Sequence, residues 1–433
     1  MRKNKIDIIS LGCSKNLVDS EHLIRQFQAN GYSVEHNPSR VDGEIVVVNT
    51  CGFIRDAQEE SIDMILELGR AKKEGKIKKL FVMGCLAERF MAQLIDELPE
   101  VDKFYGKFNW KEMLNDLGKS YKEDLSSERY LTTPKHYAYL KISEGCNRFC
   151  AFCAIPLITG RHKSVPMDTL LNEVKYLVSQ GVKEFNVIAQ DLSSYGLDLY
   201  GKMMLPELID QMAQIEGVEW IRLHYAYPTQ FPYDILPVMA KHDNVCKYLD
   251  IALQHSSDKV LNNMQRHITK AETIELIKRI RKEVPGIHIR TTLMVGFPGE
   301  GEEEFNDLVD FVEEMRFERM GAFAYSEEEG TFAAKHFDDI IPEDVKADRL
   351  DKIMEIQEEI SNEIQSKKVG NVYKVIIDSV DEMYYSGRTE WDSPEVDPEV
   401  LTPGENGKLE IGNFYQVEIT DATPFELFGK VVG

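Results

Sequence analysis

The first third of the chain alternates short apolar runs with stretches of helical spacing. Three runs have the pattern of buried strands, namely IDIISLG (6–12), EIVVVNT (44–50) and KLFVMG (79–84). Each is followed by a stretch in which apolar residues recur every three or four positions, beginning NLVDSEH, RDAQEES and AERFMAQ. Strands that alternate with helices in this way are typical of a parallel sheet with right-handed crossovers. The pattern predicts an N-terminal parallel-sheet domain over residues 1–130.

The same alternation repeats six times between residues 131 and 365. The six predicted strands are YAYLKIS, EFNVIAQ, EWIRLHY, KYLDIAL, IHIRTTLM and MGAFAY, and helical patterns such as MDTLLNEVKYLVSQG separate them. Six consecutive β/α units predict a barrel or partial barrel whose functional site lies at the carboxyl ends of the strands. A long charged helix, DVKADRLDKIMEIQEEISNEIQSKK, follows and marks the next boundary.

The last segment, residues 366–433, has no helical pattern. Short β-type stretches, NVYKVIIDSV, MYYSGRTE and FYQVEIT, are separated by proline, glycine and aspartate. This texture predicts a small antiparallel β-barrel. The sequence therefore predicts an α/β protein of three domains: a parallel-sheet domain, a central partial (β/α)6 barrel and a terminal β-barrel.

Composition narrows the class of protein. The 433 residues are 43% hydrophobic and 29% charged, which is ordinary for a globular protein. We find no apolar run long enough for a transmembrane helix and no signal-peptide core after MRKNKIDIISLG. Seven cysteines are too few and too unevenly spaced for a disulfide framework, which favours a reducing, cytoplasmic location.

The net charge of −23 bears on the choice of partner. A protein that binds nucleic acid through its phosphates needs a basic surface. Strong acidity instead favours a basic partner, although solubility alone is an alternative reason for it. We therefore do not expect direct nucleic-acid binding or a membrane partner.

Three of the cysteines are crowded into EGCNRFCAFC (144–153), directly after the first predicted barrel strand. Cys146, Cys150 and Cys153 have C-x3-C-x2-C spacing. Structural zinc sites use four ligands, usually as two C-x2-C pairs, and bacterial ferredoxins space their cysteines C-x2-C-x2-C with a remote fourth. Three thiolates on a 4Fe–4S cluster leave one iron open to a small ligand. A structural or zinc site is the alternative.

Cys13, Cys51 and Cys85 each follow one of the three strands predicted in the N-terminal domain. The carboxyl ends of parallel strands converge on one crevice, so we expect these cysteines to meet and to offer a second open iron. Three unrelated small residues in loops are the alternative. Cys246 has no cysteine neighbours and is predicted to be a buried core thiol.

The C-x3-C-x-Phe-C motif after the first strand of a partial β/α barrel resembles the radical S-adenosylmethionine superfamily. The resemblance implies that the open iron binds the amino and carboxylate groups of S-adenosylmethionine, which the reduced cluster cleaves to a deoxyadenosyl radical. Phe152 would border the adenine, or only pack. The loop VGFPGE (295–300) resembles the adenine-contacting segment of the superfamily, or is only a turn; its candidate residues are Gly296, Pro298 and Gly299.

Several polar residues near these motifs are weaker candidates. Gln190 and Asp191 end the second barrel strand and are predicted to hold the methionyl end or the ribose of S-adenosylmethionine, with a structural turn as the alternative. Arg161 and Lys163 follow the cysteine loop and could meet a substrate carboxylate, or they only balance local acidic charge. His255 is predicted to be a satisfied core histidine. No catalytic side chain is identified.

All three parts together resemble the methylthiotransferases. LGCSKN, NTCGFI and MGCLAER match the three cysteine segments of that family's N-terminal domain, and the terminal β-barrel corresponds to its TRAM domain. The resemblance implies two 4Fe–4S clusters and two uses of S-adenosylmethionine, one as methyl donor and one as radical source. The radical removes hydrogen from an unactivated carbon, and sulfur carried at the N-terminal cluster bonds to that carbon. An inert C–H bond requires such a cofactor.

The family has two branches with different substrates. One modifies an adenosine of transfer RNA, and the other modifies the β-carbon of an aspartate in the twelfth small-subunit ribosomal protein. Segments resembling the ribosomal-protein branch are SLGCSKNLVDSE, CAIPLITGRHKS, AQDLSSYGLDLYG, LDIALQHSSDKVLNNMQR, FAYSEEEGTFA and GRTEWDSPEVD. From Val369 to the end, four basic residues stand against thirteen acidic ones, which should repel RNA and attract a basic ribosomal protein.

We therefore predict a monomeric, cytoplasmic transferase that acts on the ribosomal protein and is reduced by a protein such as a flavodoxin or ferredoxin. Methylthiolation of transfer RNA is one alternative. A non-catalytic iron–sulfur electron carrier is the other, and the barrel around the cysteine motif argues against it.

Overall fold

The computed structural model describes residues 2–404 and 408–432, and the N-terminal part is a five-stranded parallel sheet in the order β2-β1-β3-β4-β5. Its strands are β1 (Arg2–Ser10), β2 (Ser33–His36), β3 (Gly43–Thr50), β4 (Lys79–Gly84) and β5 (Lys103–Phe104). Its helices are α1 (Ser14–Ala29), α2 (Arg55–Lys73), α3 (Cys85–Glu97) and α4 (Glu112–Asp116), with a 3-10 turn at Glu123–Leu125.

Helices cover both faces of this sheet, which explains the continuous apolar strands. Successive side chains of a strand point to opposite faces. Val46 and Val48 of β3 pack on the α2–α3 side, whereas Ile45 and Val47 pack on the α1 side. A strand buried on both faces is a continuous run rather than an alternation. The three predicted strands are confirmed, but short, half-exposed β2 and the two-residue β5 lacked that signal.

The central part is a single parallel sheet in the order β13-β12-β11-β10-β9-β6, open between its first and last strands. The strands are β6 (Tyr137–Lys141), β9 (Glu184–Ile188), β10 (Trp220–Ala226), β11 (Val245–Ile251), β12 (His288–Val295) and β13 (Arg319–Ala324), and a small antiparallel pair, β7 (Ser143–Glu144) and β8 (Lys163–Ser164), flanks β6. All six predicted strands and the partial barrel are confirmed.

Helices surround the outer face of this partial barrel. They are α5 (Ile155–Thr159), α6 (Met167–Ser179), α7 (Leu197–Tyr200), α8 (Leu205–Ala213), α9 (Ile235–Lys241), α10 (Asp258–Asn263), α11 (Lys270–Glu283), α12 (Glu302–Met315), α13 (Phe332–His336) and α14 (Glu343–Ser366), with a 3-10 turn at Leu192–Ser194. No helix in the described part of the chain combines the length and the apolarity that crossing a bilayer requires.

The inner face of the partial barrel is polar. Outward residues such as Leu140, Val187 and Leu223 join the large core under the helices. The residues between them point inward, and several are polar and buried: Glu184, Asn186, Arg222, His224 and Asp250. Buried polar groups need partners, so this interior is suited to hold a polar ligand or another polar segment.

The C-terminal part is a closed five-stranded barrel in the order β14-β15-β16-β18-β17. The strands are β14 (Val372–Val380), β15 (Tyr384–Arg388), β16 (Glu399–Pro403), β17 (Phe414–Ala422) and β18 (Glu426–Val431). Four neighbouring pairs are antiparallel, but β16 and β18 are parallel. The predicted small β-barrel is confirmed. One of its five pairs is parallel because a closed ring with an odd number of strands cannot alternate direction throughout.

The connection between β15 and β16 enters the base of the partial barrel. We call residues 389–397 the plug segment. Asp392 accepts a hydrogen bond from Arg319 at 2.5 Å, and Asp397 accepts one from the Tyr248 hydroxyl at 2.9 Å. Arg388, which precedes the plug segment, donates to both carboxylate oxygens of Glu184 at 2.9 and 2.7 Å. The plug segment thus supplies partners for Arg319 and Tyr248 of the barrel interior.

Candidate functional site

The loop with Cys146, Cys150 and Cys153 begins at the carboxyl end of β7 and turns sharply. Gly145 has φ +78°, and a Cβ there would lie 2.2 Å from the carbonyl oxygen of Arg161. The Cys146 amide then donates to the carbonyl of Gly160 at 3.2 Å. The glycine is therefore required for the close backbone approach that folds the three cysteines into one loop.

The sulfur of Cys150 lies against positive charge. The Arg266 Nη1 is 3.3 Å from Cys150 Sγ, and the Tyr227 hydroxyl is 3.5 Å from the same sulfur. Burial raises the pKa of the Cys146 thiol to about 11 and also raises the pKa of Cys153. Buried thiols of this kind become thiolates when a cationic centre binds them. The donor set therefore fits an iron–sulfur cluster.

The structure brings Cys13, Cys51 and Cys85 to one edge of the N-terminal sheet. They follow β1, β3 and β4, which are neighbours in the sheet. Asn16 contacts all three strand ends. Its side-chain Oδ1 accepts a hydrogen bond from Cys85 Sγ at 3.4 Å, and its Nδ2 donates to the carbonyl of Thr50, which precedes Cys51, at 2.9 Å. Its backbone N–H donates to the Cys13 carbonyl at 2.9 Å. Burial raises the pKa of Cys85 to about 11, against the effect of Lys107.

The sulfur spacing in both triads argues against a single zinc ion. Among the described residues, neither triad has all three sulfur atoms within 4.8 Å of one another. Tetrahedral zinc with Zn–S bonds of about 2.3 Å would hold its sulfurs roughly 3.8 Å apart.

A glycine beside Cys51 provides a test of this assignment. Gly12 has φ +86°, and a Cβ there would lie 2.8 Å from Cys51 Cβ and 3.0 Å from its sulfur. Gly12→Ala should displace that sulfur. We expect reconstituted protein to contain about four irons per chain instead of about eight.

Gly31→Ala is the matched control for that variant. Gly31 has a similar φ of +85°, but a Cβ there would meet no atom within 4 Å. Both variants have the same left-handed strain of about 1 kcal/mol, and only Gly12→Ala adds the close contact with Cys51. Gly31→Ala should therefore retain about eight irons, and full iron in Gly12→Ala would contradict the ligand assignment.

The two triads adjoin across the domain boundary. Cys85 packs with Ala154 and Ile158, which follow Cys153 in the chain. Gln190, predicted from sequence as a cofactor ligand, donates through Nε2 to Glu144, two residues before Cys146. Gln190 is thus on the boundary between the triads, and its contact with S-adenosylmethionine stays a prediction.

Asp191 and Phe152 also surround the cysteine loop. The Asp191 carboxylate accepts from Arg148 Nε at 2.7 Å and from the Ser194 hydroxyl at 2.5 Å, so it anchors the loop that carries the cysteines. Phe152 packs edge-on against Phe297, with ring centroids 6.3 Å apart. Phe297 belongs to the VGFPGE loop, so the structure brings this loop and the cysteine motif together.

The VGFPGE loop is tightly constrained. Gly296 has φ +74°, Gly299 has φ +98°, and the carbonyl of Pro298 accepts from Asn263 at 3.2 Å.

His255 donates through Nε2 to Glu300 at 3.0 Å, while its Nδ1 accepts from the Ser257 amide at 3.0 Å. His255 is thus a satisfied core histidine, as predicted. Cys246 is likewise buried, against Trp220 and Tyr248.

A cavity of about 320 Å³ lies between the N-terminal triad and the interior of the partial barrel. Cys13 borders it on one side, His224 and Arg290 on another, and Glu395 of the plug segment at its base. Arg161 and Lys163, the cations expected at the substrate, are exposed and are not among its lining residues.

The cation that sequence reasoning missed is Arg290. It lies on β12, where its Nε is 3.8 Å from the nearer Asp397 oxygen and 24% of its side chain is exposed. The only signal in the sequence was its place in the alternating run IHIRTTLM. If this run is a barrel strand, the alternation places Arg290 on the inward face. Lys107, Glu144 and Arg266 were missed as well, and only Glu144, beside the cysteine motif, carried a local signal.

Three family models match the chain: the uncharacterized protein family UPF0004 over residues 5–106, the radical SAM superfamily over residues 140–312 and the TRAM domain over residues 369–432. Proteins named ribosomal protein uS12 methylthiotransferase RimO are similar over the whole length. That of Parabacteroides distasonis is 64% identical and covers 100% of both chains. That of Bacteroides thetaiotaomicron is 63% identical and covers 100% of this chain and 99% of its own.

Solved structures share the fold at low identity. The radical S-adenosylmethionine methyltransferase TsrM from Kitasatospora setae, with cobalamin and a [4Fe-4S] cluster bound, has a TM-score of 0.57 and 13% identity and covers 77% of each chain. The cobalamin-dependent S-adenosylmethionine radical enzyme OxsB has a TM-score of 0.52 and 13% identity, and covers 82% of this chain and 56% of its own. These similarities support the fold alone.

Proposed function

The chain belongs to the ribosomal protein uS12 methylthiotransferases, a family of radical S-adenosylmethionine transferases, and we propose that it methylthiolates the β-carbon of an aspartate in uS12. The observation that carries this proposal is the cavity shared by Cys13 and the inward face of the partial barrel. A substrate side chain placed there would lie beside the N-terminal triad.

Membership in the radical SAM superfamily implies a 4Fe–4S cluster and S-adenosylmethionine. In the proposal, Cys146, Cys150 and Cys153 hold that cluster, and Cys13, Cys51 and Cys85 hold a second. When bound, these groups supply the deoxyadenosyl radical and the sulfur for transfer. The chain's own contribution is to bind and orient: Arg266 offsets negative charge at Cys150, and Phe152 shields the loop.

The proposal includes a reductant protein such as a flavodoxin or ferredoxin, a monomeric enzyme and a cytoplasmic location. It also retains domains at residues 1–130, 131–365 and 366–433. The reductant is part of the proposal because the cluster must be reduced before it can cleave S-adenosylmethionine.

Arg290 is the residue we assign to the substrate carboxylate. It is held loosely by Asp397 and lines the cavity, so a carboxylate entering the cavity can pair with it. Arg290→Met should weaken binding of a uS12 peptide at least tenfold, because a hydrogen bond to a charged group contributes about 1.5–3 kcal/mol. The measurement is the Kd of a labelled peptide on reconstituted enzyme.

Two controls sharpen this prediction. Arg279→Met removes an arginine from the exposed face of α11, where it pairs with Glu283, and should leave the Kd unchanged. A peptide with asparagine at the target position should bind the native enzyme weakly and the Arg290→Met enzyme no worse. Equal discrimination between the two peptides by both enzymes would place the carboxylate elsewhere.

The surface of the terminal barrel favours a protein substrate over transfer RNA. Four of its carboxyl-bearing residues are paired and at least partly buried, so they contribute little to the outer surface: Asp378, Glu390, Asp392 and Asp397. Its exposed charges, among the described residues, are still mainly acidic: Asp381, Glu382, Glu395, Glu399, Glu410, Asp421 and Glu426 against Lys374, Lys408 and Lys430. Such a surface is complementary to a basic ribosomal protein.

Mass spectrometry of a deletion strain tests the function. We expect uS12 to lose the mass of one methylthio group at a single aspartate, and transfer RNA to be unaltered. Loss from transfer RNA alone would refute the proposal. Failure of the reconstituted protein to form deoxyadenosine from S-adenosylmethionine would instead favour an electron carrier.

A further inference from the structure

A buried ammonium lies between the two cysteine triads. Lys107 follows β5 and is 4% exposed. Its Nζ is 3.9 Å from Cys85 Sγ and 3.2 Å from Asn16 Oδ1. The same atom lies 3.4 Å from an Asp19 carboxylate oxygen and 3.6 Å from a Glu144 carboxylate oxygen. Lysine is seldom buried unless it is paired, so these contacts fix the position of its charge.

A second lysine satisfies the two carboxylates. Lys141 pairs with Glu144 at 2.9 Å and makes a still shorter contact with Asp19. Both carboxylates are therefore closer to Lys141 than to Lys107. The charges of the two lysines and the two carboxylates sum to zero. Because Lys107 is the one that contacts the sulfur, Cys85 faces a positive charge.

We propose that Lys107 is a positioning residue that provides a fixed positive charge to the N-terminal triad and, through Glu144, couples that triad to the loop of the other. The inference rests on the proposed role of Cys13, Cys51 and Cys85 as cluster ligands.

The sequence position of Glu144 connects the N-terminal triad to the loop of Cys146, Cys150 and Cys153. Glu144 and Gly145 immediately precede Cys146, so a displacement of the Glu144 carboxylate moves the start of the second cysteine loop. The other carboxylate oxygen of Glu144 accepts from Gln190 at the end of β9. One side chain thus contacts the cation of the N-terminal triad and the barrel edge beside the other triad.

The charges around the N-terminal triad give the expected direction of the change in reduction potential. Three thiolates make a bound cluster negative, and one-electron reduction adds a further negative charge. A cation about 4 Å from a ligand sulfur stabilises the reduced form more than the oxidised form, and burial strengthens that effect. Loss of the cation should therefore lower the reduction potential, and loss of a neighbouring anion should raise it.

The experiment uses full-length protein in which Cys146, Cys150 and Cys153 are replaced by alanine, so that only the N-terminal triad can hold a cluster. After anaerobic reconstitution, iron is counted and the cluster is titrated by electron paramagnetic resonance. We expect Lys107→Met to retain about four irons and to shift the reduction equilibrium about tenfold towards the oxidised form, which is ~59 mV for one electron. Glu144→Gln should shift it in the opposite direction.

Matched variants separate this role from simple domain packing. Lys107→Arg should restore the parent potential, and Lys119→Met, which removes an exposed lysine, should not change it. If Lys107→Met fails to hold iron, Lys107→Gln, which can still donate to Asn16, provides the same comparison. Equal potentials in all iron-bearing variants, or shifts of one sign in Lys107→Met and Glu144→Gln, would overturn the inference. A parent protein without iron would overturn the ligand assignment itself.

Discussion

Replacing Cys13, Cys51 and Cys85 together by alanine should leave deoxyadenosine formation intact and abolish methylthiolation of uS12. The reason is spatial: these three cysteines lie on the N-terminal sheet, whereas the loop assigned to S-adenosylmethionine is built on the barrel. Iron should fall from about eight to about four per chain. Deoxyadenosine is measured by chromatography and the methylthio group by peptide mass spectrometry.

The reciprocal variant and a neutral one complete the design. Cys146→Ala should abolish deoxyadenosine and methylthiolation together, since both need the radical. Cys246→Ala removes a buried thiol that lies in the core near Trp220, and its iron content and both products should match those of the native protein. Sulfur transfer by the triple variant would show that the N-terminal triad is not the source of sulfur.

Arg388→Met should destabilise the protein by about 3 kcal/mol. The guanidinium is 2% exposed and pairs with Glu184 and Asp378, at 2.7 Å and 2.6 Å for the closest contacts. Removing one partner of a buried ion pair leaves uncompensated charge. Arg222, 3.2 Å from Glu184, offsets part of the loss. Equilibrium unfolding in denaturant measures the effect.

Two further variants distinguish loss of charge from loss of packing. Lys374→Met removes the partly exposed partner of Glu219 and should change stability by less than about 1 kcal/mol. Combining Arg388→Met with Glu184→Gln should cost less than the sum of the single changes, because the neutral amide no longer needs a cation. Strict additivity would show that the buried pair is not coupled.

Most of the fold was predictable because its strands are buried on one or both faces and are therefore apolar or alternating. The convergence of Cys13, Cys51 and Cys85 was also predictable, since parallel strands end on one edge. The parallel pairing of β16 with β18 was not, because pairing direction is a property of the closed barrel rather than of either strand.

The plug segment could not be predicted from its own residues. The stretch TEWDSPEVD contains proline and several carboxylates and is typical of a surface loop. Its burial depends on Arg222, Tyr248 and Arg319, which come from three different strands and meet only in the folded barrel. For the same reason, the number of acidic residues in the terminal barrel does not predict its surface charge, because some of them are exposed and others pair inside the molecule.

The candidate site was predictable where its chemistry is local in sequence. The spacing of Cys146, Cys150 and Cys153 identified the loop, but Arg290 and Lys107 are single cations in ordinary contexts. The importance of Lys107 follows from its contacts with Asn16, Asp19 and Cys85. That of Arg290 follows from its place in the cavity and its distance from Asp397. Arg161 and Lys163 are close to the cysteines in sequence, but they are exposed and do not line the cavity.

The position of the plug segment also sets an order of events during synthesis. Ribosomes make a chain from its N-terminus at about 5–20 residues per second, and domains fold largely as they emerge. The central barrel is therefore complete in sequence before residues 389–397 exist. Until then Arg319 lacks the Asp392 carboxylate and Arg222 lacks the Glu390 carbonyl. Chains truncated before this segment should consequently be degraded rather than accumulate as a shorter enzyme.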